Sequence, residues 1–182
     1  MIKTGIFGGS FNPIHNGHVS LARQLKEKAG LDEVWLMVSP QNPLKQDSDL
    51  LDDEKRMQMV RLALEGEESL IASDYELHLP KPSYTWNTLQ ALSKDYPERE
   101  FVLMIGGDNW ALFDRWYHAE DIKQNYQIVV YPRKGAEGGI EGLELIDISS
   151  TEIRQRIKEG KGIRRMVPKA VADYIRKEGL YV

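Results

Sequence analysis

The sequence contains no cysteine, no long apolar run and no excess of positive charge over its 182 residues. The lack of cysteine excludes disulfides, thiolate nucleophiles and cysteine-ligated zinc or iron–sulfur sites. The longest apolar runs, such as residues 34–38, are far shorter than the ~20 residues that cross a bilayer. A formal net charge of −4 argues against a general nucleic-acid or anionic-membrane binder. We therefore expect a cytoplasmic protein, or one of another reducing compartment, with no nucleic-acid and no membrane partner.

Apolar runs typical of strands alternate with helical patterns along the chain. Strands are predicted at residues 2–7, 33–39, 100–105 and 127–131, with a weaker one at 143–148. Helices are predicted at 20–29, 53–64 and 85–96, and two more begin near Ser149 and Pro168. In the second helix, Met57, Val60, Arg61 and Leu64 recur at helical spacing. This alternation predicts one α/β domain over residues 1–182, with a mostly parallel sheet flanked by helices and a helical C-terminal segment.

A glycine-rich string follows the first predicted strand. It reads Gly8-Gly9-Ser10-Phe11-Asn12-Pro13-Ile14-His15-Asn16-Gly17-His18 and leads into a helix. Glycines at a strand end let backbone N–H groups approach an anion, and a helix N-terminus adds partial positive charge. If the helix begins near Asn16, His15 and His18 face one loop mouth, where they could donate to phosphate or bind metal. The structural alternatives are a tight turn at the glycines and a helix cap at Asn16.

A second string, Asp147-Ile148-Ser149-Ser150-Thr151-Glu152-Ile153-Arg154, lies near the C-terminus. Ser149 and Glu152 have the spacing of a capping box, which is a purely structural explanation for part of it. Ser150 and Arg154 are four residues apart on one helix face, so they can offer a hydroxyl and a guanidinium to one anion. The alternative for Arg154 is a solvated surface arginine.

Three further stretches follow predicted strands or open a helix. Residues 40–45 form a proline-stiffened loop ending in Lys45, which can reach a phosphate or remain an ordinary surface lysine. Residues 82–89 open a helix in which Ser83 or Thr85 could act as the cap. Residues 106–118 are rich in aromatic side chains, which can stack on a flat heterocycle. Among these aromatics, Trp110 and Phe113 are interpreted as core residues.

The two strings resemble the Gly-x-Phe-x-Pro-x-His-x-Gly-His and Ile-Ser-Ser-Thr-x-Ile/Val-Arg signatures of one superfamily, the nucleotidyltransferases related to class I aminoacyl-tRNA synthetases. In that superfamily the two histidines stabilise the triphosphate and the second motif holds the β- and γ-phosphates of ATP. The resemblance implies a Rossmann-like fold and catalytic roles for His15, His18 and Arg154. It also implies ATP binding by these three together with Gly8, Gly9, Ser10, Phe11, Gly106, Asp108, Ser150 and Thr151. No third His, Asp or Glu at ligand spacing lies near the two histidines, so we expect no metal ligand in the chain.

The other stretches resemble one branch of the superfamily, the bacterial nicotinate-mononucleotide adenylyltransferases. The matching features are Pro-Ser-Tyr-Thr-x-x-Thr-Leu at 82–89, the loop lysine, and Gly-x-Asp at 106–108 followed by a tryptophan. The resemblance places Lys45, Ser83, Tyr84, Thr85 and Trp116 around the acceptor. Asn12 and Gly107 depart from the branch, which commonly has Asp and Ala there, and neither is an expected phosphate ligand.

This resemblance implies that the chain adenylylates nicotinate mononucleotide with ATP, yielding nicotinate adenine dinucleotide and pyrophosphate in NAD biosynthesis. Magnesium is expected to arrive bound to the nucleotide. Two alternatives stay open: another adenylyltransferase, such as phosphopantetheine adenylyltransferase, and a non-catalytic nucleotide-binding regulator. The sequence leaves the oligomeric state open, with a homodimer as one candidate.

Overall fold

The computed structural model describes residues 1–41, 49–133 and 139–182. Its strands are β1 (Ile2–Gly9), β2 (Glu33–Val38), β3 (Leu70–Ser73), β4 (Arg99–Gly106) and β5 (Gln127–Tyr131). They form one sheet in the order β3-β2-β1-β4-β5, and every neighbouring pair is parallel. The predicted α/β fold with a parallel sheet is confirmed.

Helices connect the strands and close the chain. The described helices are α1 (Asn16–Lys28), α2 (Asp53–Ala63), α3 (Thr85–Asp95), α4 (Gly107–Ala111), α5 (Ala119–Asn125), α6 (Ser150–Lys158) and α7 (Lys169–Glu178). Short 3₁₀ turns lie at Tyr75–His78 and Phe113–Arg115. Within the described ranges, no helix combines the length and apolar character needed to span a membrane.

Both faces of the sheet are covered, which explains why the central strands read as continuous apolar runs. Phe7 and its neighbours on one face pack in a cluster with side chains of α1, α2 and α7. Ile6, the preceding residue, belongs to a second cluster on the opposite face with side chains of α3 and α5. Successive strand residues alternate between faces, so each apolar run contributes to both clusters.

Two strand predictions differ from the structure. β3 was not predicted because it spans only four residues at the sheet edge, and its Ile71 is 38% exposed. The strand predicted at 143–148 is wrong. The side-chain amide of Gln24 exchanges two hydrogen bonds with the backbone of Glu144, at 2.8 and 2.7 Å. A side chain of α1 therefore occupies the backbone groups that a neighbouring strand would need.

The order of the strands determines where a ligand can bind. The chain runs outward from β1 to β2 and β3, then returns to the other side of β1 with β4 and β5. The segments that follow β1 and β4 therefore leave the sheet in opposite directions, and the crevice between them is the usual ligand site of such sheets. The glycine-rich string and residues 106–108 flank this crevice.

Candidate active site

The glycine-rich string begins inside β1. Gly8 and Gly9 are the last two residues of that strand, in register with Met37 and Val38 of β2, rather than residues that follow it. Gly8 is exposed, and a Cβ there would meet no atom within 4 Å. The backbone at the mouth of the crevice is therefore accessible to a ligand.

Phe11 supports the exposed part of the loop from below. Its side chain is 2% exposed, with a positive φ of 47°, and its ring stacks on Phe7 with centroids 5.9 Å apart. The ring meets His18 edge-on at 5.0 Å. Ser10, just before it, is exposed. Of the two residues, Ser10 is the one whose side chain can reach a ligand, whereas Phe11 shapes the loop.

The two histidines are fixed by backbone hydrogen bonds at the start of α1. The N–H of Gly17 donates to Nδ1 of His15 at 3.0 Å, and the N–H of His15 donates to Nδ1 of His18 at 3.1 Å. Their rings stack with centroids 3.7 Å apart. Because both Nδ1 atoms accept, each neutral ring carries its proton on Nε2. The pair therefore offers two Nε2–H donors.

Both imidazoles are held in the neutral form. Burial, reinforced by the positive charge of Arg133, lowers the pKa of His15 to about 4. Burial, His15 and Arg133 together lower the pKa of His18 well below its usual range. A bare imidazolium would be costly here, so the ligand-free pair acts as hydrogen-bond donors rather than as cations.

His15 is the N-cap of α1, so the alternative that Asn16 caps this helix is wrong. The Asn16 backbone N–H donates to the carbonyl of Met166 at 2.8 Å, and its side chain donates to the carbonyl of Arg165 at 3.1 Å. The helix begins at Asn16, earlier than the predicted residue 20. This early start brings the two histidine rings together.

The second string folds against the first, about 140 residues away in sequence. Ser150 Oγ donates to the carbonyl of Pro13 at 2.9 Å, and Arg154 Nη1 donates to the carbonyl of Asn12 at 2.8 Å. Arg154 Nη2 also donates to Thr151 Oγ1 at 3.3 Å. Arg154 is thus tied to the histidine loop, rather than being a freely solvated surface arginine.

Ser149 performs the structural task expected of it. Its Oγ accepts the backbone N–H of Glu152 at 3.0 Å and caps α6. The serine that caps the helix and the serine that faces the first motif are therefore adjacent residues with different roles.

Arg133, which sequence reasoning missed, lies two residues after the end of β5. Its Nε is 3.6 Å from Oδ1 of Asp108, and its charge contributes to the low pKa values of both histidines. A Cβ on Gly106 would come within 2.6 Å of Arg133 Cγ, so a side chain there would displace the arginine. The only available sequence signal was a basic residue just after the fifth strand.

The expected acceptor residues lie in two neighbouring segments. The ring of Tyr84 is 4.8 Å from that of Tyr117, next to Trp116, whose ring is 4.9 Å from Phe113. Ser83 Oγ donates to Oε1 of Glu76 at 2.8 Å. The start of α3 and the segment after β4 thus share one partly exposed aromatic surface.

The structure differs from two expectations about these segments. Neither Ser83 nor Thr85 caps α3, because Tyr84 is its N-cap and no side chain there bonds the helix end. Phe113 is a core residue at 1% exposure, but Trp110 is not, being 37% exposed. Lys45 lies outside the described residues.

The crevice at β1 and β4, the neutral histidine pair and the arginine bonded to the loop before it fit the class of nucleotidyltransferases. Residues 6–156 match the family described as Cytidylyltransferase-like. A curated protein of Bacteroides fragilis named "Probable nicotinate-nucleotide adenylyltransferase" is 51% identical over 93% of this chain and 89% of its own length. A protein of the same name from Flavobacterium johnsoniae is 43% identical over 99% of both chains. The chain therefore belongs to the nicotinate-nucleotide adenylyltransferases of the cytidylyltransferase-like family.

Solved structures agree on the fold. The Plasmodium falciparum nicotinic acid mononucleotide adenylyltransferase complexed with NaAD superposes with a TM-score of 0.82. The match covers 100% of this chain and 98% of that one at 20% sequence identity, so it bears on the fold alone.

Proposed function

We propose that this chain transfers the adenylyl group of ATP to nicotinate mononucleotide, forming nicotinate adenine dinucleotide and pyrophosphate in NAD biosynthesis. The proposal rests mainly on the contact between the two motifs: Arg154 and Ser150 donate hydrogen bonds to backbone carbonyls of the loop that precedes the histidine pair. The names of the curated relatives and the NaAD bound by the Plasmodium protein support the choice of acceptor. We take residues 1–182 as one nucleotidyltransferase domain.

The reaction requires alignment more than proton transfer. An acceptor phosphate oxygen attacks the α-phosphorus of ATP and forms a P–O bond. The bond from that phosphorus to the bridging oxygen breaks, and its electron pair leaves with pyrophosphate. The attacking oxygen is already anionic at neutral pH, so no general base is needed. The acceleration must come from positioning and from stabilising charge on the phosphates.

The neutral histidines suit this task. We assign the Nε2–H groups of His15 and His18 to oxygens of the α- and β-phosphates, where negative charge grows as the bond breaks. Bound phosphate would raise the pKa of each ring and so make the imidazolium, a stronger donor than the neutral ring, easier to form when the substrate arrives. Their backbone bonds hold the rings in place beforehand, which avoids reorganisation during the reaction.

The departing pyrophosphate is assigned to the start of α6. Arg154 supplies charge, Ser150 and Thr151 supply hydroxyls, and the helix N-terminus adds its partial positive charge. Arg133 is added to this set because its charge already acts on both histidines. The remaining expected contacts to ATP are Gly8, Gly9, Ser10, Phe11, Gly106 and Asp108, with Phe11 contributing its backbone because its ring is buried.

Magnesium is proposed to come with the nucleotide. The described part of the chain contains no group of three or more His, Cys, Asp or Glu that could hold a metal ion. The carboxylate of Asp108 lies beside Arg133. Phosphate oxygens and water would supply most of the ligands of the ion, and the ion would neutralise phosphate charge.

The acceptor is assigned to the aromatic surface formed by α3 and the segment after β4. Trp116 would stack on the pyridine ring, and Ser83, Tyr84 and Thr85 would supply polar contacts. Lys45 is proposed for the phosphate side. The oligomeric state, with a homodimer as the candidate, and a cytoplasmic location remain predictions.

Pyrophosphate release from ATP tests the proposal. Nicotinate mononucleotide, nicotinamide mononucleotide and phosphopantetheine are offered separately, with and without magnesium. We expect turnover with a pyridine mononucleotide and a dependence on magnesium. Turnover with phosphopantetheine alone would move the chain to another adenylyltransferase activity. ATP binding without turnover on any of the acceptors would favour the regulator.

A further inference from the structure

The guanidinium of Arg56 is completely buried near the start of α2. Its side chain is 0% exposed, whereas that of Arg61 on the same helix is 47% exposed. Charged side chains are almost never buried without partners, because a bare buried charge costs several kcal/mol. The hydrogen-bond partners of Arg56 therefore indicate the role of this buried charge.

Arg56 joins the ends of two neighbouring strands. Its Nη1 donates to the carbonyl of Ser10, just after β1, at 2.7 Å and to the carbonyl of Ser39, just after β2, at 2.8 Å. Its Nε donates to the carbonyl of Leu51 at 2.8 Å. The backbone N–H of Ser39 still donates to the carbonyl of Gly9 at 2.9 Å, and the planar guanidinium fixes the spacing of the two segments just beyond this last bond.

Asp53 extends this link toward the acceptor side. Its Oδ1 accepts from Arg56 Nη2 at 2.5 Å and from the N–H of Gln41 at 3.4 Å. Its Oδ2 lies 3.9 Å from Nζ of Lys81. Lys81 lies two residues before Ser83, the first of residues 83–85 that we assign to the acceptor, and Ser10 belongs to the loop assigned to ATP.

We propose that Arg56 is a positioning residue for adenylyl transfer, holding the ATP loop and the acceptor segment at a fixed relative position. This inference rests on the proposed function. In-line transfer needs the acceptor oxygen, the α-phosphorus and the leaving oxygen in register, and displacing one substrate by about 1 Å can cost on the order of 10² in rate. We assign Arg56 no contact with either substrate, because each of its three guanidinium nitrogens already donates to a protein atom.

The test uses two pairs of variants. Arg56→Lys keeps the charge but cannot span the same carbonyls, and Arg61→Lys makes the same change on the exposed side of the helix. Asp53→Asn removes the negative charge that pairs with the Arg56 guanidinium. Asp52→Asn is its control, because Asp52 caps α2 through the N–H of Lys55 and Asn caps equally well.

Each variant is assayed for pyrophosphate release, with kcat expressed per nucleotide-binding site. The melting temperature is measured alongside. We expect Arg56→Lys to lose about 10–100-fold in kcat, and Asp53→Asn roughly 3–10-fold, with smaller changes in either KM. Both controls should stay within about 2-fold of the wild type. A purely structural role would lower the melting temperature and the number of binding sites but leave kcat per site unchanged.

Unchanged kcat per site in Arg56→Lys would overturn the proposal. If that variant does not fold, Asp53→Asn decides, because Asp53 is partly exposed and its substitution keeps the size of the side chain. Failure of the proposed function itself would appear as absent turnover in the wild type. If only the role of Arg56 is wrong, the wild type is active and the Arg56 and Asp53 variants keep its kcat per site.

Discussion

Replacing His18 by Asn separates the two tasks of this side chain. Nδ1 of His18 accepts the N–H of His15 at 3.1 Å, and an Asn oxygen can occupy nearly the same place. His18→Asn therefore keeps the bond that starts α1 but has no group where Nε2–H stood. His18→Gln does the reverse, because its amide nitrogen can reach the Nε2 position while the bond from His15 is lost.

The expected size follows from the geometry. The His18 ring is held between His15 and Phe11, with centroids 3.7 and 5.0 Å away, so its donor is in place before ATP binds. Losing one such preorganised donor typically costs 10²–10³ in kcat, or about 3–4 kcal/mol. We expect that loss in His18→Asn with near-normal stability. In His18→Gln we expect a smaller kinetic loss but about 1–3 kcal/mol less stability, because a backbone N–H loses its partner.

Steady-state pyrophosphate release and thermal melts on the same preparations measure both effects. ATP binding should weaken less than kcat falls, since the charge that Nε2–H stabilises grows mainly in the transition state. Full activity in a folded His18→Asn would refute the reasoning. Recovery of activity with excess divalent ion, together with bound transition metal in the wild type, would identify His18 as a metal ligand instead.

Three further outcomes are expected. In steady-state kinetics, Trp116→Ala should lower kcat/KM for the acceptor by the equivalent of about 1–3 kcal/mol and leave the KM for ATP unchanged. Lost thermal stability with an unchanged acceptor KM would mean that the indole only packs on Phe113. The pKa of His15 is about 4 when folded and near 6.5 when unfolded, so the unfolded chain takes up the proton first as pH falls. Urea unfolding should therefore show full stability above pH 6.5 and a decline of about 3 kcal/mol from this group down to pH 4. His15→Asn should reduce the decline but not abolish it, because the pKa of His18 is lowered as well; equal pH profiles for variant and wild type would contradict the assignment. Tyr181→Phe removes a buried 2.6 Å hydrogen bond to Oδ1 of Asn12 and should lower the free energy of unfolding by about 1 kcal/mol. Tyr174→Phe, the control, should change it little, and matching melting temperatures for the two variants would contradict this prediction.

Local sequence determined four of the five described strands, the main helices and both motifs that we assign to phosphate. A strand buried on both faces is apolar along most of its length, so β1, β2 and β4 could be predicted from their continuous apolar runs. The two motifs could be recognised from the sequence because the residues of each lie within a few positions of one another. They are glycines that expose backbone, histidines three apart at a helix start, and a serine that caps its own helix. Even the meeting of His15 with His18 needed only the helix to begin at Asn16.

Tertiary structure decided which charges are buried and which segments pair. Arg56 and Arg61 are both arginines of α2, and only the packing of α2 against the strand ends places Arg56 among carbonyls of Ser10 and Ser39. Arg133 gains its influence on the histidines from the order β1-β4-β5, which no local pattern encodes. The segment 143–148 has the apolar residues of a strand, but Gln24 bonds its backbone instead. In each case the deciding partner is distant in sequence, and a hydrogen bond or a buried charge depends on that partner as much as on the residue itself.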